Sequence, residues 1–93
     1  MEIHWLDWDD VNEAKLLAHG IRPAEVDSVI TRNDWVVETH PEYPNQVRVI
    51  GPTSAGRRLT VVLESTGDPL GRRPVTGWDA TRQETAYYRE ENR

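Results

Sequence analysis

The sequence contains no cysteine, no phenylalanine and a single lysine, and no uninterrupted apolar run exceeds three residues, as at 61–63. The absence of cysteine excludes disulfides, thiolate metal sites and cysteine nucleophiles. The short apolar runs exclude a membrane-spanning helix. Met1 is followed at once by Glu2 and His4, which is not the pattern of a signal peptide, so we expect a cytoplasmic protein.

What is present is typical of one small globular domain. The chain has 93 residues, 37% hydrophobic and 29% charged, which predicts a single domain spanning residues 1–93. Four tryptophans and three tyrosines make the composition too aromatic for a disordered segment.

The charge is unevenly distributed along the chain. The net charge of -5 taken as a whole argues against a nucleic-acid partner. Residues 1–47, however, carry three basic and ten acidic side chains, a net of -7, whereas residues 48–82 carry six arginines and three acids, a net of +3. Ten of the eleven basic residues are arginine, which suits bidentate phosphate contacts, although a GC-rich genome would give the same bias. A phosphate-binding face is therefore compatible with the acidic average.

The apolar periodicity predicts the element order ααββββα, preceded by an edge strand or extended lead-in over residues 1–8. We predict helices over 10–19, from Pro23 to a break at Asn33, and over 81–91, with strands at 34–40, 46–50, 58–65 and 73–78. The strand at 58–65 is apolar on both faces, which indicates a central position. The fold class is α+β, with two N-terminal helices, a four-stranded antiparallel sheet and a C-terminal helix.

Two capping boxes mark helix starts in this sequence. Asp10 with Glu13 opens the first helix, and Thr81 with Glu84 opens the last one. Gly20 is a natural left-handed stop for the first helix. The expected buried stripe of that helix consists of Val11, Ala14, Leu17 and Ala18.

Neither a metal nor a cofactor is expected. The glycines are scattered turn residues without a phosphate-loop spacing, and the histidines at 4, 19 and 40 lack metal-ligand spacing. Arginines stand out instead, because Arg48, Arg58 and Arg73 fall on or beside three neighbouring predicted strands, where they could form one patch that binds phosphate.

Groups for proton transfer are also predicted near this patch. The candidates are Glu38, Glu64, His40 and Tyr88. The same spacing equally predicts a solvated sheet face with cross-strand Arg–Glu pairs.

Four segments carry a resemblance to a known family. They are residues 3–5 (IHW), 15–25 (KLLAHGIRPAE), 48–63 (RVIGPTSAGRRLTVVL) and 73–90 (RPVTGWDATRQETAYYRE). In order and spacing they resemble the BrnT toxins, small ribonuclease-like proteins with a RelE/ParE-like fold that pair with a BrnA antitoxin. The chain departs from the family pattern at Trp78-Asp79, where arginine is usual.

The resemblance implies a toxin-like endoribonuclease of a type II toxin–antitoxin system. In such enzymes the 2′-hydroxyl of the RNA attacks the adjacent phosphate without a metal. The implied catalytic residues are Arg48, Arg58, Arg73, Glu84 and Tyr88, and the implied RNA-binding residues are Arg57, Arg82 and His40. The implied partners are RNA and a cognate antitoxin, in a homodimer or a toxin–antitoxin hetero-oligomer.

Two alternatives remain open at this point. One is a catalytically inactive domain of the same fold that binds a protein, with the arginine face gripping an acidic partner. The other is a scaffold domain in which Trp78 and Asp79 form a small-ligand pocket.

Overall fold

A computed structural model describes residues 1–40 and 42–92. In this part of the chain, helices and strands form an α+β arrangement. The elements in chain order are β1 (Trp5–Leu6), α1 (Asp10–Ala18), α2 (Pro23–Arg32), β2 (Val36–Thr39), β3 (Gln46–Pro52), β4 (Arg58–Ser65), β5 (Gly71–Asp79) and α3 (Arg82–Glu91). The predicted α+β class and the order of the three helices are confirmed.

The strands form one sheet in the order β1-β5-β4-β3-β2. The four predicted strands are antiparallel neighbours, but β1 adds a fifth strand, which pairs in parallel with β5. The prediction of a four-stranded, wholly antiparallel sheet is therefore wrong, and the edge-strand alternative for residues 1–8 is confirmed. Gly71 permits this edge, because a Cβ there would lie 2.2 Å from the indole ring of Trp5.

β4 lies at the centre of the sheet, as its two apolar faces predict. One face carries Leu59, Val61 and Leu63, which are buried with α1 and α2 in the main core. The other carries Thr60 and Val62, which are also buried. We call the first face the α1/α2 face and the second the α3 face. Alternation along the strands assigns each side chain to one of them.

β5 begins two residues earlier than predicted, and Pro74 lies inside it rather than at its start. Proline has no N–H to donate, but no hydrogen bond to β1 is lost at Pro74, since β1 pairs only with Gly71 and Arg72 of β5. The register between β4 and β5 also shifts between Val62 and Leu63.

α1 differs from the prediction in its cap and in its buried face. Asp9, not Asp10, is the N-cap, and it exchanges hydrogen bonds with Asn12 at 2.9 Å in both directions. The buried residues are Asn12 and Leu16, whereas Val11 and Leu17 of the expected stripe are 73% and 53% exposed. Asn12 Nδ2 also donates to the Asp7 carbonyl, and these bonds fix the rotation of the helix.

α2 and α3 follow their sequence signals. Pro23 is the first residue of α2, and Asn33 ends it in the left-handed conformation at φ 58°. Thr81 and Glu84 form the predicted capping box of α3. α3 packs on the sheet opposite α1 and α2, and its Tyr87 hydroxyl donates to the Val37 carbonyl of the edge strand β2 at 3.0 Å. Among residues 1–40 and 42–92, no helix has the length and apolar character needed to cross a membrane.

Candidate functional site

A cleft of about 490 Å³ lies between α3 and the open part of the α3 face. We call it the α3 cleft. Its lining is polar and consists of Glu38, Arg48, Thr81, Gln83, Glu84 and Tyr87. The cleft brings together two of the residues implied as catalytic, Arg48 and Glu84.

Glu84 is held in place by donors from three parts of the site. Its Oε1 accepts hydrogen bonds from Thr60 Oγ1 (2.9 Å), Trp78 Nε1 (3.0 Å) and the Thr81 amide (2.9 Å). Its Oε2 has a longer contact, 3.3 Å to the same indole nitrogen. Burial raises the pKa of Glu84, but these donors outweigh burial and hold its pKa below the ordinary value. The carboxylate is therefore ionised at neutral pH.

Arg48 forms the neighbouring wall of the α3 cleft. Its guanidinium carbon lies 5.6 Å from the centroid of the Trp78 ring, within the range of a cation–π contact. Its Nη1 is 3.4 Å from Glu38 Oε1, and the side chains of Arg48 and Glu38 are 35% and 39% exposed. An exposed ion pair of this length contributes little, so an incoming anion can displace Glu38.

A smaller hollow of about 100 Å³ lies on the other side of Arg48. His40 and Tyr43 line it together with Gln46, and the His40 and Tyr43 rings lie 5.1 Å apart. His40 is therefore next to Arg48 but outside the α3 cleft. Tyr87, which the sequence argument missed, lines the cleft three residues after Glu84. The helical spacing from the predicted cap was the signal available for it.

Arg58 lies on the other flank of α3. Its guanidinium stacks 5.7 Å from the centroid of the Tyr88 ring and contacts Thr85 Oγ1 at 3.5 Å. Its Nε is buried and has no hydrogen-bond partner, and among residues 1–40 and 42–92 no carboxylate lies within ion-pair distance of it. Thr85 and Tyr87 project from opposite sides of α3, so the helix separates Arg58 from Arg48.

Arg73 is surrounded by carboxylates at the other end of the sheet. It pairs with Asp9, and it lies 3.7 Å from both Asp7 and Glu64. The bond to Asp9 raises the pKa of Arg73, whereas the bond from the Asn12 amide, followed by that from Arg73, lowers the pKa of Asp9. These carboxylates neutralise the charge of Arg73 in the folded protein.

The three predicted strand arginines therefore do not converge on one patch. Along β4, Arg58 is four residues from Val62, which lies opposite Arg48, and six residues from Glu64, which lies opposite Arg73. At about 3.3 Å per residue the separations are roughly 13 and 20 Å along the strand. The three strands are neighbours, as predicted, but the register between them places each arginine at a different position along the strand direction. The cross-strand Arg–Glu pairs of the alternative interpretation are present at Arg48 and Arg73.

Arg57 lies on the α1/α2 face, away from the α3 cleft. It donates to Asp79 (2.7 Å), to Glu25 (3.0 Å) and to the Gly20 carbonyl (2.9 Å). Trp78 and Asp79 thus extend from opposite faces of β5, and they do not form the shared ligand pocket of the scaffold alternative. Arg82, in contrast, is exposed in the first turn of α3.

Comparison with protein-family models, with curated proteins and with solved structures finds no match to this chain. In the described part of the chain, no group of three or more histidine and acidic side chains is arranged to hold a metal ion. The chemistry present in the cleft is one arginine, the two carboxyl groups of Glu38 and Glu84, and several hydrogen-bonding groups.

Proposed function

We propose that the protein is a toxin-like endoribonuclease, the toxin component of a type II toxin–antitoxin pair, which acts in the cytoplasm on RNA bound in the α3 cleft. The observation that supports this proposal is that Arg48 and the ionised Glu84 line the same cleft. The resemblance to the BrnT toxins implies the same two residues. A cation that can hold phosphate beside a carboxylate that can accept a proton is the minimum set for cleavage by the 2′-hydroxyl.

In the proposed reaction, the 2′-oxygen of the RNA forms a bond to the adjacent phosphorus while the bond from phosphorus to the 5′-oxygen breaks. Glu84 accepts the proton of the 2′-hydroxyl, and the departing 5′-oxygen takes a proton from solvent. Arg48 neutralises the charge that develops on the phosphoryl oxygens. The products are a 2′,3′-cyclic phosphate and a 5′-hydroxyl.

Arg58 and Arg82 extend the proposed RNA path beyond the cleft. Among residues 1–40 and 42–92 neither has a carboxylate partner, and both lie at the first turns of α3. An anion bound at Arg58 would balance a half-buried charge. We propose that these two arginines bind further phosphates of the RNA outside the cleft, whereas the charges of Arg57 and Arg73 are already compensated by carboxylates.

The test is cleavage of single-stranded RNA by the purified protein in the presence of a chelator. The wild type is expected to produce 2′,3′-cyclic phosphate ends, and Arg48→Ala and Glu84→Gln are each expected to lower the rate by about 100-fold or more. Arg32→Ala removes the same charge from the exposed end of α2 and should leave the rate unchanged. Intact RNA at micromolar wild-type protein would refute the proposal.

The second candidate is a catalytically inactive domain of the same fold that binds a protein. The observation that favours it is that Glu84 Oε1 already accepts three hydrogen bonds, which suits a structural role. It predicts intact RNA, no growth arrest on expression, and a stable complex with an acidic partner that Arg48→Ala weakens. Growth arrest that is rescued by a co-expressed neighbouring reading frame would instead support the toxin and its antitoxin.

A further inference from the structure

The outward face of α1 is apolar, although nothing in the described part of the chain covers it. Val11 and Leu17 are 73% and 53% exposed, and Ala14 and Ala18 between them are exposed as well. At 100° per residue, Ala14 lies directly opposite the buried Asn12 and Leu16. A surface helix normally places polar residues on this side, so contiguous apolar exposure here indicates a contact surface.

The shape of this face suits another helix. Ala14 and Ala18 have small side chains, and they lie between the larger Val11 and Leu17. Small residues along the middle of a helix surface allow a second helix to approach to about 8 Å, where the flanking side chains fill its grooves. Recognition of this kind uses anchor residues of the partner at i, i+3, i+4 and i+7.

The charge around the face decides which helix would fit. Residues 1–20 carry five acidic side chains and one lysine, and Asp7 and Asp9 among them are paired with Arg73, which leaves three acidic side chains against the lysine, a net of -2. Asp10 lies within the apolar face at its N-terminal end, Glu13 lies on one side of the face and Lys15 on the other. Within residues 1–40 and 42–92 no cation lies within ion-pair distance of Asp10 or Glu13. Two copies of such a surface would repel each other, whereas a basic helix would be attracted.

We propose that the outward face of α1 is a docking surface for a basic amphipathic helix of a partner protein. The apolar side of that helix packs on Val11, Ala14 and Leu17, and its lysines or arginines pair with Asp10 and Glu13. α1 and α3 lie on opposite faces of the sheet, so this surface and the α3 cleft can be occupied at the same time. The proposal therefore does not depend on the ribonuclease activity.

The test uses a synthetic helical peptide of roughly 18 residues, with leucine and alanine along one side and lysine on both flanks. A second peptide has glutamate in place of every lysine. Binding is followed by amide chemical shifts of the labelled protein. Saturable shifts centred on residues 10–18 are expected with the basic peptide at low salt, and none with the acidic peptide.

Matched variants separate the apolar contribution from the charge. Leu17→Ser, which changes no charge, should weaken binding by about tenfold, whereas Leu70→Ser, at a 38% exposed residue in the β4–β5 loop, should not. Asp10→Asn combined with Glu13→Gln should weaken binding several-fold at low salt, and this difference should shrink at high salt.

Three results would overturn the proposal. Equal binding of the acidic peptide would remove the role of charge. Shifts that map elsewhere, or that Leu17→Ser leaves unchanged, would remove α1 from the contact. A concentration-dependent dimer of the free protein that Leu17→Ser abolishes would assign this face to a second copy of the chain.

Discussion

Arg57 Nε donates a hydrogen bond to Asp79 Oδ1 over 2.7 Å, on the side of the sheet opposite the α3 cleft. Asp79 belongs to the Trp78-Asp79 pair, which stands where the resemblance leads one to expect arginine. Its pairing with Arg57 keeps its negative charge away from Arg48 and Glu84. The neighbouring Trp78 takes the position on the α3 face instead, where it supports both of these residues. The departure at 78–79 thus adds no further negative charge to the cleft, whose lining already holds Glu38 and Glu84 beside Arg48.

Removal of Arg57 is expected to destabilise the fold. Its guanidinium joins the end of β5 to Glu25 of α2 and to the Gly20 carbonyl that follows α1. Arg57→Ala should lower the free energy of unfolding by about 1–2 kcal/mol, since Asp79 is largely exposed and its pair is screened. The control Arg32→Ala removes an exposed pair and should cost less than about 0.5 kcal/mol. Urea unfolding measures both, and equal stabilities would contradict the prediction.

The two carboxylates that pair with Arg57, Asp79 and Glu25, are expected to make the fold less stable in acid. The Arg57 hydrogen bond lowers the pKa of Asp79, and the Arg22 amide, followed by Arg57, lowers that of Glu25. The unfolded chain therefore takes up protons at a higher pH than the folded one. This contribution is fully present above about pH 4.5 and is lost as the pH falls through the lower folded-state pKa values.

Thermal unfolding between pH 6 and pH 3 measures this effect. The midpoint of the wild type should fall steeply over the lower part of the range. Arg57→Ala should show a shallower fall, since it has already lost the pairs that protonation breaks. Parallel curves for the two proteins would exclude these pairs as the source of the acid sensitivity.

Two adjacent leucines test the orientation of α1. Leu16 is fully buried, whereas Leu17 is 53% exposed. Leu16→Ala should cost about 3 kcal/mol because it leaves a cavity in the core, and Leu17→Ala should change stability by less than about 0.5 kcal/mol. The reverse order would show that the stripe expected from the sequence is the buried one after all.

Two substitutions at Glu84 separate its role as a hydrogen-bond acceptor from its role as a negative charge. Glu84→Ala leaves the Thr60 hydroxyl, the Trp78 indole N–H and the Thr81 amide without their acceptor, and should lower stability by about 2–3 kcal/mol. Glu84→Gln keeps a carbonyl oxygen in the same place and should cost less than about 1 kcal/mol. Chemical unfolding of both variants checks this, and it also establishes that Glu84→Gln is folded when its activity is measured.

The sequence by itself determined the local structure. Pro23, Asn33 and the Thr81–Glu84 box fixed the ends of α2 and α3, because caps and turn residues act within a few positions of themselves. The two-sided apolar pattern of 58–65 fixed β4 as the central strand, since only burial on both faces accommodates it. Of the residues that line the α3 cleft, Arg48 and Glu84 were named in advance as site residues, whereas Tyr87 was not.

Only the tertiary structure decided what lies far apart in the chain. Asp9 and Asp10 both fit a cap, and the bonds of Asn12 and Arg73 selected Asp9 and thereby turned Leu17 outward. The parallel pairing of β1 with β5 depends on contact between residues about 65 positions apart, which no local pattern encodes. Sheet register then placed Arg48, Arg58 and Arg73 at separate levels and gave two of them carboxylate partners. Long-range pairing and packing, rather than residue type, therefore determined which charges remain available to a ligand.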